Sequence, residues 1–437
     1  MLKIITRRLC LIEKKYVYQQ AYSTINSEKK YSNEIQILDK KYRTDEWTNV
    51  GDKIIEKLNK NLHIKKYHPL SHIRERIVNY FYKNYPNKWG NPEFSVYDNL
   101  KPIVTIEQNF DSLLTPKDHV SRNKSDCYYI NRDLLLRAHT SAHQSELIGM
   151  GLNNFLVIGD VYRRDEIDAT HYPVFHQVEA VRLCTKNEVF KNVQGSGGLE
   201  IFEDNGKMNE QKQQIHSLEA VKIMEHELKK DLVGLVQALF GKDIKYRWVD
   251  EYFPFTHPSW ELEIFFNDKW MEVLGCGIIR DEILKNAGAT DRIGWAFGLG
   301  LERLAMCLYD IPDIRLFWSQ DSGFLHQFEF DDPNTNVKYK PVSVFPPIIN
   351  DMSFWLPDGK FSSNDFYDLV KEVGGDVVEQ VKLIDEFKHP KKGKTSHTYR
   401  IIYRDMERNL TQKEINVIHK KIGDISMADL GVTLRSK

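Results

Sequence analysis

An α+β fold is predicted by three features of this 437-residue sequence. Segments rich in Val, Ile and Phe, with partial alternation, occur in neighbouring pairs joined by polar turns, the pattern of antiparallel strands. Between the pairs lie longer stretches with apolar residues three and four apart, the pattern of helices. The regular strand–helix alternation of a parallel sheet is missing. The predicted architecture is therefore an antiparallel sheet flanked by helices, followed by a smaller C-terminal unit, and the length agrees with more than one domain.

The chain divides into four regions: a targeting segment at 1–26, a large domain with an N-terminal extension at 27–327, a linker at 328–343 and a C-terminal domain at 344–437. The first, MLKIITRRLCLIEKKYVYQQAYST, sets Lys3, Arg7, Arg8, Lys14 and Lys15 against the single acid Glu13. Apolar residues fall between the charges at near-helical spacing, a transit-peptide composition. No stretch approaches the length of a membrane span. The formal net charge of −1 excludes a global basic field, so any nucleic-acid contact must come from a local patch. Cys10, Cys127, Cys184, Cys276 and Cys307 are scattered without a paired spacing, which argues against a disulfide framework and against a cysteine zinc site.

In chain order, VGDKIIEKLNKNL after Trp47 has helical character. YHPLSHIRERIVNYFYKNY places Leu70, Ile73, Ile77 and Phe81 on one helical face, with Pro69 at the start. SAHQSELIGM reads as a helix. FLVIGDVYR and VFHQVEAVRL form a long antiparallel hairpin with RRDEIDATHYP as its loop. QGSGGLEIFEDNGK is a surface insertion, and a helix runs from Ser217 to Phe240. IKYRWVDEYF, WELEIFF and KWMEVLGCG are strands, the last two joined by a tight turn at Asn267-Asp268. GWAFGLG leads into the helix LERLAMCLYDI. FDDPNTNVKYKP marks the boundary. Beyond it, INDMSFWL, DVVEQVKLIDEF, SHTYRIIYR and LGVTLR are strands. SNDFYDLVKEVG is a helix, as is TQKEINVIHKKIG, which opens with the capping-box pair Thr411 and Glu414. The order β-α-β-β-α-β is the ferredoxin-like split βαβ.

Several residue groups carry chemistry. Arg163 and Arg164 end the first strand of the long hairpin. Adjacent strand positions face opposite ways, so one can reach a bound phosphate with its planar fork while the other is expected to face away and pair with Asp165 or Glu166. On the return strand Phe175, Gln177 and Glu179 share a face, which sets an aromatic ring, an amide and a carboxylate side by side. A two-residue turn at Asn267-Asp268 places Glu263 opposite Glu272. Facing carboxylates repel, and a divalent cation bridging them would relieve this. Arg303 sits in the first turn of a helix, against the macrodipole, and a bound polyphosphate would account for it. KKGKT, Lys391 to Thr395, has the end of a phosphate loop without its upstream glycine and reads as a basic hairpin loop. Lys391, Lys392, Lys394, Arg400 and Arg404, with Tyr399 and Tyr403 interleaved, form a local patch suited to an RNA backbone with stacked bases.

These segments together resemble a class II aminoacyl-tRNA synthetase, close in pattern to the single-chain phenylalanyl-tRNA synthetases of mitochondria. HPLSHIRERI resembles the first class II motif, VYRRDEIDATHYPVFHQVE the second and GLGLER the third. RAHTSAHQ and FPFTHPSWELEI…MEVLGCG resemble the phenylalanine-specific segments, and the C-terminal split βαβ resembles the anticodon-binding domain. The likeness covers about Trp47 to Arg435. It implies adenylation of phenylalanine by ATP with Mg2+, without zinc, then transfer to tRNA(Phe) by a monomer in the mitochondrial matrix. It further implies that Arg163, His171 and Arg303 are catalytic. Arg163 would meet the α-phosphate and Arg303 the γ-phosphate, with Thr170, His171 and Tyr172 in the loop over ATP. Phe175 would stack on adenine, and Glu272, with Glu263, would hold the magnesium. His139, Ser141, Ala142, His143, Gln144, Gln177, Val178 and Glu179 would form the amino-acid end, Glu179 taking the ammonium. Phe253 and Phe255 would meet the substrate ring, Ala296 and Phe297 would bound the pocket, and Ala296 would limit room at the para position. Two departures stand out: Thr170 replaces a common glutamine, and Ser145-Glu146 replaces a Trp-Asp pair. The alternative, a non-catalytic synthetase-like RNA-binding protein, is expected to lose Arg163, Arg303 or Glu179, and all are present.

Overall fold

The computed structural model describes residues 33–341, 345–390, 393–405 and 407–435. The expected targeting segment at 1–26, and Lys391 and Lys392, lie outside the described residues. The helical reading after Trp47 is corrected: only Asp52–Ile55 is α-helical. Asn59 and Asn61 take left-handed φ values of 58° and 48°, which end a helix. Helix α1, Pro69–Asn84, forms as its sequence predicts, with Pro69 at its first turn and the His68 ring accepting from the Leu70 amide.

The larger domain is built on a seven-stranded sheet. Its strands are β1 (Ser95–Tyr97), β2 (Asn154–Tyr162), β3 (Val174–Thr185), β4 (Tyr246–Glu251), β5 (Thr256–Phe266), β6 (Lys269–Ile279) and β7 (Arg292–Gly300). The order is β1-β2-β3-β7-β6-β5-β4, antiparallel throughout except where β1 joins β2 in parallel at one edge. Helices α1, α2 (Leu218–Phe240) and α3 (Leu301–Tyr309) cover one face. Ile77 and Phe81, Leu228 and Leu232, and Leu301 and Leu304 pack there against Leu156, Val178, Ala180, Leu262, Trp295 and Phe297. Strand alternation sends the other set of side chains to the opposite face. Part of that face is closed by Leu147, Ile148, Ile283 and Leu284, and the rest carries the candidate site.

The predicted linker is not free. Phe330 stacks on His72 with ring centroids 4.1 Å apart, and the Tyr339 amide donates to the Tyr309 carbonyl at 2.7 Å. The predicted surface insertion is also tied down at its far side, where Ile201 is buried and Phe202 pairs with His216.

The C-terminal unit has β8 (Ile348–Trp355), α4 (Ser363–Gly374), β9 (Val378–Lys388), β10 (Thr395–Tyr403), α5 (Gln412–Asp429) and β11 (Thr433–Leu434) in the predicted order. The sheet order is β9-β10-β8-β11, and the Thr411–Glu414 capping box is present. The inner face packs Phe354, Tyr399, Ile401 and Tyr403 against Phe366, Val370, Ile415 and Ile422. Tyr399 and Tyr403 are therefore core residues and are not open to bases, because the period of two that turns Arg400 outward turns them inward.

Candidate active site

The hairpin of β2 and β3 sets the geometry. Gln177 lies opposite Gly300, and Glu179 opposite Gly298. On the next strand Gly298 faces Gly275 and Ala296 faces Gly277. Side chains are thus missing from the middle of this face. A Cβ at Gly298 or Gly300 would meet nothing within 4 Å, so the strand backbone itself forms a floor that a ligand can approach closely.

Above this floor is a cavity of about 320 Å³, lined by His139, Thr140, Ser141, Gln144, Arg163, Gln177, Glu179, Phe253, Phe255, Glu272, Ala296 and Phe297 among others. Phe253 and Phe255 run parallel, with centroids 5.8 Å apart, and form an apolar wall. The Glu179 carboxyl is buried, and burial pushes its pKa up to about 7 against the hydrogen bonds donated by Ser141 and Thr140. The Thr140 hydroxyl is 3.2 Å away. The His139 ring is pushed down to about 3, first by burial and then by Arg163, so it is neutral. Its Nδ1 is buried without a hydrogen-bond partner. Arg163 donates from Nε to the Ala138 carbonyl at 2.7 Å, and its guanidinium lies 5.4 Å from the centre of the Phe175 ring. One aromatic wall, one buried carboxylate and one anchored guanidinium thus meet within one cavity.

Glu272 also lines the cavity. The tight turn forms as predicted, with Asn267 and Asp268 at φ 49° and 61°, and Glu263 does lie opposite Glu272. Arginines, rather than a bridging cation alone, oppose the two carboxylates. Glu263 is held by Arg247 at 2.5 Å, and Glu272 by Arg303 at 3.1 Å. The like-charge strain falls instead on Glu261, whose pKa is raised by burial and then by Glu272, Glu251 and Glu263.

Other expected residues sit elsewhere. Val178 points into the helix-covered core because its neighbours Gln177 and Glu179 point to the cavity. Ala142 is buried in a side cluster with Val104 and Phe110. His143 is buried with its Nε2 3.1 Å from the Arg137 guanidinium. Tyr172 donates to Asp376 of the C-terminal unit at 2.6 Å, outside the cavity. Thr170 and His171 lie in the hairpin loop, where Asp168 accepts from both backbone amides, at 2.6 and 2.8 Å, and lies 2.9 Å from the His171 ring. Arg164 does face away from Arg163, but its partners are Asp365 at 3.1 Å and Asp368 at 3.2 Å on α4 rather than its sequence neighbours. Arg404 pairs with Glu379 at 2.9 Å, and its carbonyl accepts from Arg315, which places it in the seam between the units. Arg400 lies on the outer face of the C-terminal sheet, bidentate to Asp351 at 2.8 and 2.9 Å.

The chain matches two family models. Residues 55–203 and 200–328 match the class II core domain (F) of tRNA synthetases, and residues 343–435 match the ferredoxin-fold anticodon binding domain. A relative from Drosophila melanogaster, described as a probable mitochondrial phenylalanine–tRNA ligase, is 59% identical over 422 residues, covering 92% of each chain. The chain belongs to the phenylalanine–tRNA ligase family. The Mus musculus mitochondrial phenylalanine–tRNA ligase is 56% identical over 398 residues, covering 91% of this chain and 88% of its own. The Saccharomyces cerevisiae mitochondrial enzyme is 39% identical over 448 residues, covering 90% and 94% respectively. The cavity therefore lies within the class II core, and the unit that carries Asp365 and Asp368, the partners of Arg164, is the anticodon-binding fold.

Gly298 and Gly300 are legible in GLGLER as points of close backbone approach, whereas Thr140, although it stands inside RAHTSAHQ, and Gly275 and Gly277 were missed. Gly275, Gly277, Gly298 and Gly300 fall at alternate positions of paired strands, which was the available signal. Among the described residues no helix is long and apolar enough to cross a membrane, and no group of three or more His, Cys, Asp or Glu is placed to hold a metal ion.

Proposed function

We propose that this chain activates phenylalanine with ATP and transfers it to tRNA(Phe) as a monomer in the mitochondrial matrix. The observation that carries the reading is the buried Glu179 carboxyl at one end of a cavity that has the Phe253–Phe255 wall beside it and Arg163 within it. An ammonium is the cation that fits Glu179. The substrate ring rests against Phe253 and Phe255, where an edge-to-face contact with the aromatic wall is favourable, and stops at Ala296, while the Phe297 side chain turns into the helix-covered core.

In the first step a carboxylate oxygen of phenylalanine attacks the α-phosphorus of ATP. A carboxyl–phosphate bond forms, the bond to the β-phosphate oxygen breaks, and pyrophosphate leaves. Arg163, anchored at Nε, presents its remaining N–H groups to the charge that grows on the α-phosphate oxygens. Phe175 packs on the adenine. Arg303 takes the γ-phosphate, exchanging its contact with Glu272 for a phosphate. In the second step a ribose hydroxyl at the tRNA 3′ end attacks the carbonyl carbon, and AMP leaves. Thr170 and His171 belong to the loop over the nucleotide, oriented by Asp168.

The residues present fit a magnesium ion accompanying ATP. Glu272 and Glu261 are hard oxygen donors, and the Glu261 pKa is raised by burial first and then by the neighbouring carboxylates. Such an ion would neutralise phosphate charge. Glu263 is committed to Arg247.

For the tRNA we favour the outer face of the C-terminal sheet. Beside Arg400 and Lys394, this face carries Trp355, whose ring lies 6.2 Å from Phe387 and 6.0 Å from His389. The Arg435 guanidinium lies 5.1 Å from the Trp355 ring and 5.8 Å from Phe387. Aromatic rings on an open sheet accept stacked bases.

The test is aminoacylation of a tRNA(Phe) transcript with labelled phenylalanine. The reading expects charging with phenylalanine and at least tenfold less with tyrosine, since an apolar pocket rejects an added hydroxyl by about a hundredfold. Absence of phenylalanine charging by folded protein refutes it. No hydrolysis of Tyr-tRNA(Phe) is expected. Organelle fractionation tests the matrix, and sedimentation tests the monomer.

A further inference from the structure

The most buried cation of the class II core plays no part in the chemistry of activation. Arg137 is 1% exposed. It donates from Nε to the Asp160 carbonyl at 2.7 Å and from NH2 to the Asp160 carboxylate at 2.6 Å. Its NH1 reaches the Leu100 carbonyl at 3.2 Å and His143 Nε2 at 3.1 Å. The His143 ring is pushed down to about 4, first by burial and then by Arg137, so it is neutral and its Nε2 can accept. The backbone here carries a notch for the guanidinium. A Cβ at Gly159, the residue before Asp160 on β2, would lie 2.2 Å from Arg137 NH2.

The residues immediately C-terminal to Arg137 form the cavity wall. The Ala138 amide donates to Asn109 Oδ1 at 3.0 Å, while the Ala138 carbonyl takes the Arg163 Nε at 2.7 Å. His139 lines the cavity, Thr140 donates to Glu179 at 3.2 Å, and Ser141 completes the edge. On the other strand of the junction, the Tyr162 amide donates to the Arg137 carbonyl at 2.9 Å, and the Tyr162 hydroxyl donates to the second Asp160 oxygen at 2.6 Å. Burying an arginine and an aspartate together costs desolvation that a packed apolar pair would not incur. A structural filler would need neither charge. The planar fork, by contrast, fixes the distance and the angle between two backbone segments at once.

We propose that Arg137 is a positioning residue for amino-acid activation: clamped to Asp160, it holds segment Ala138–Ser141 so that Arg163 is aimed and the phenylalanine end is shaped. The inference rests on the proposed activation of phenylalanine in this cavity. It assigns Arg137 an effect on the phenylalanine end and, through Arg163, on turnover, and none on the nucleotide contacts of Phe175, Glu272 and Arg303, which β3, β6 and α3 supply.

The test is phenylalanine-dependent ATP–pyrophosphate exchange, normalised to active sites, on the full chain and on Arg137→Lys, Gly159→Ala and Asp160→Asn. Arg137→Lys keeps the charge and loses the fork. Gly159→Ala leaves every charge in place and displaces the guanidinium. Small misplacements of this kind cost up to about a hundredfold. We expect kcat to fall and KM for phenylalanine to rise by at least roughly tenfold in all three variants, with KM for ATP within about twofold of the parent. A purely structural role lowers the number of active sites and leaves KM for phenylalanine unchanged. If Arg137→Lys does not fold, Gly159→Ala and Asp160→Asn decide. Parental KM for phenylalanine in the folded variants overturns the proposal, and so does failure of all three to fold. No exchange by the parent chain would instead refute the activation reading itself.

Discussion

Thr140 donates its hydroxyl to Glu179 across 3.2 Å, inside a cavity where burial pushes the Glu179 carboxyl up to about 7. Only the ionised form can hold an ammonium, so phenylalanine affinity is present above pH 7 and falls as the pH drops through that value. By linkage the loss approaches tenfold per pH unit. The stability of the free chain runs the other way. A raised carboxyl pKa stabilises the fold below the unfolded value and loses that contribution as pH rises through about 7. Calorimetric titration of phenylalanine from pH 6 to 8 checks the first statement, and Glu179→Gln should bind weakly with no such slope. A flat profile in the parent chain contradicts the role of Glu179.

Arg303 contacts the Glu272 carboxylate at 3.1 Å and its carbonyl at 3.0 Å. Its removal strips the triphosphate end of a cation and leaves Glu272 unopposed. Arg303→Ala is expected to lower kcat/KM for ATP by about a hundredfold, the usual scale for one preorganised charge donor. Phenylalanine affinity, measured without ATP, should stay within about twofold, because Arg303 itself does not line the cavity that holds Glu179.

Ala296 lines the cavity beside Phe253 and Phe255. Ala296→Gly removes one methyl where the substrate ring ends. Discrimination against tyrosine, about a hundredfold for an apolar pocket, should fall several-fold, and bulkier para-substituted phenylalanines should become substrates. Competition between phenylalanine and tyrosine in the exchange reaction reads this directly. Unchanged discrimination places the para position elsewhere.

Arg164 joins the class II core to α4 through Asp365 and Asp368. Arg164→Ala is expected to lower the unfolding free energy by about 1–3 kcal/mol, the scale of hydrogen bonds to a charged group. It should also loosen the docking of the two units, visible as a larger radius of gyration in small-angle scattering. Exchange activity should be retained, since Arg164 faces away from the cavity. Loss of exchange with intact docking contradicts this separation.

Trp355 and Arg435 lie together on the outer face of the C-terminal sheet. Trp355→Ala should raise KM for tRNA(Phe) about tenfold, since stacking one base on an aromatic ring contributes roughly 1–3 kcal/mol. It should leave ATP–pyrophosphate exchange untouched. An equal loss in both assays would point to misfolding and remove the face from tRNA recognition.

Much of the site was legible in the sequence, for physical reasons. Strand alternation alone put Gln177 and Glu179 on one face, and the Asn267-Asp268 turn alone set Glu263 against Glu272. Both relationships hold because period and turn length are local properties. What was illegible depends on packing across long separations. Arg164 could not be matched from spacing to Asp365 and Asp368, which lie far along the chain in the other unit. Tyr399 and Tyr403 looked like stacking residues because the sequence shows that aromatic and basic residues alternate but does not show which face is covered. The arginines that relieve Glu263 and Glu272 come from β4 and α3, and no local rule pairs them.

The central claim is that the β2–β3 hairpin assembles the adenylation site around Arg163. It is tested most directly by phenylalanine-dependent ATP–pyrophosphate exchange with the parent chain and with Arg163→Ala. The account predicts exchange by the parent and a loss of at least about a hundredfold in the variant, with the protein still folded. Equal exchange by the two proteins would contradict it.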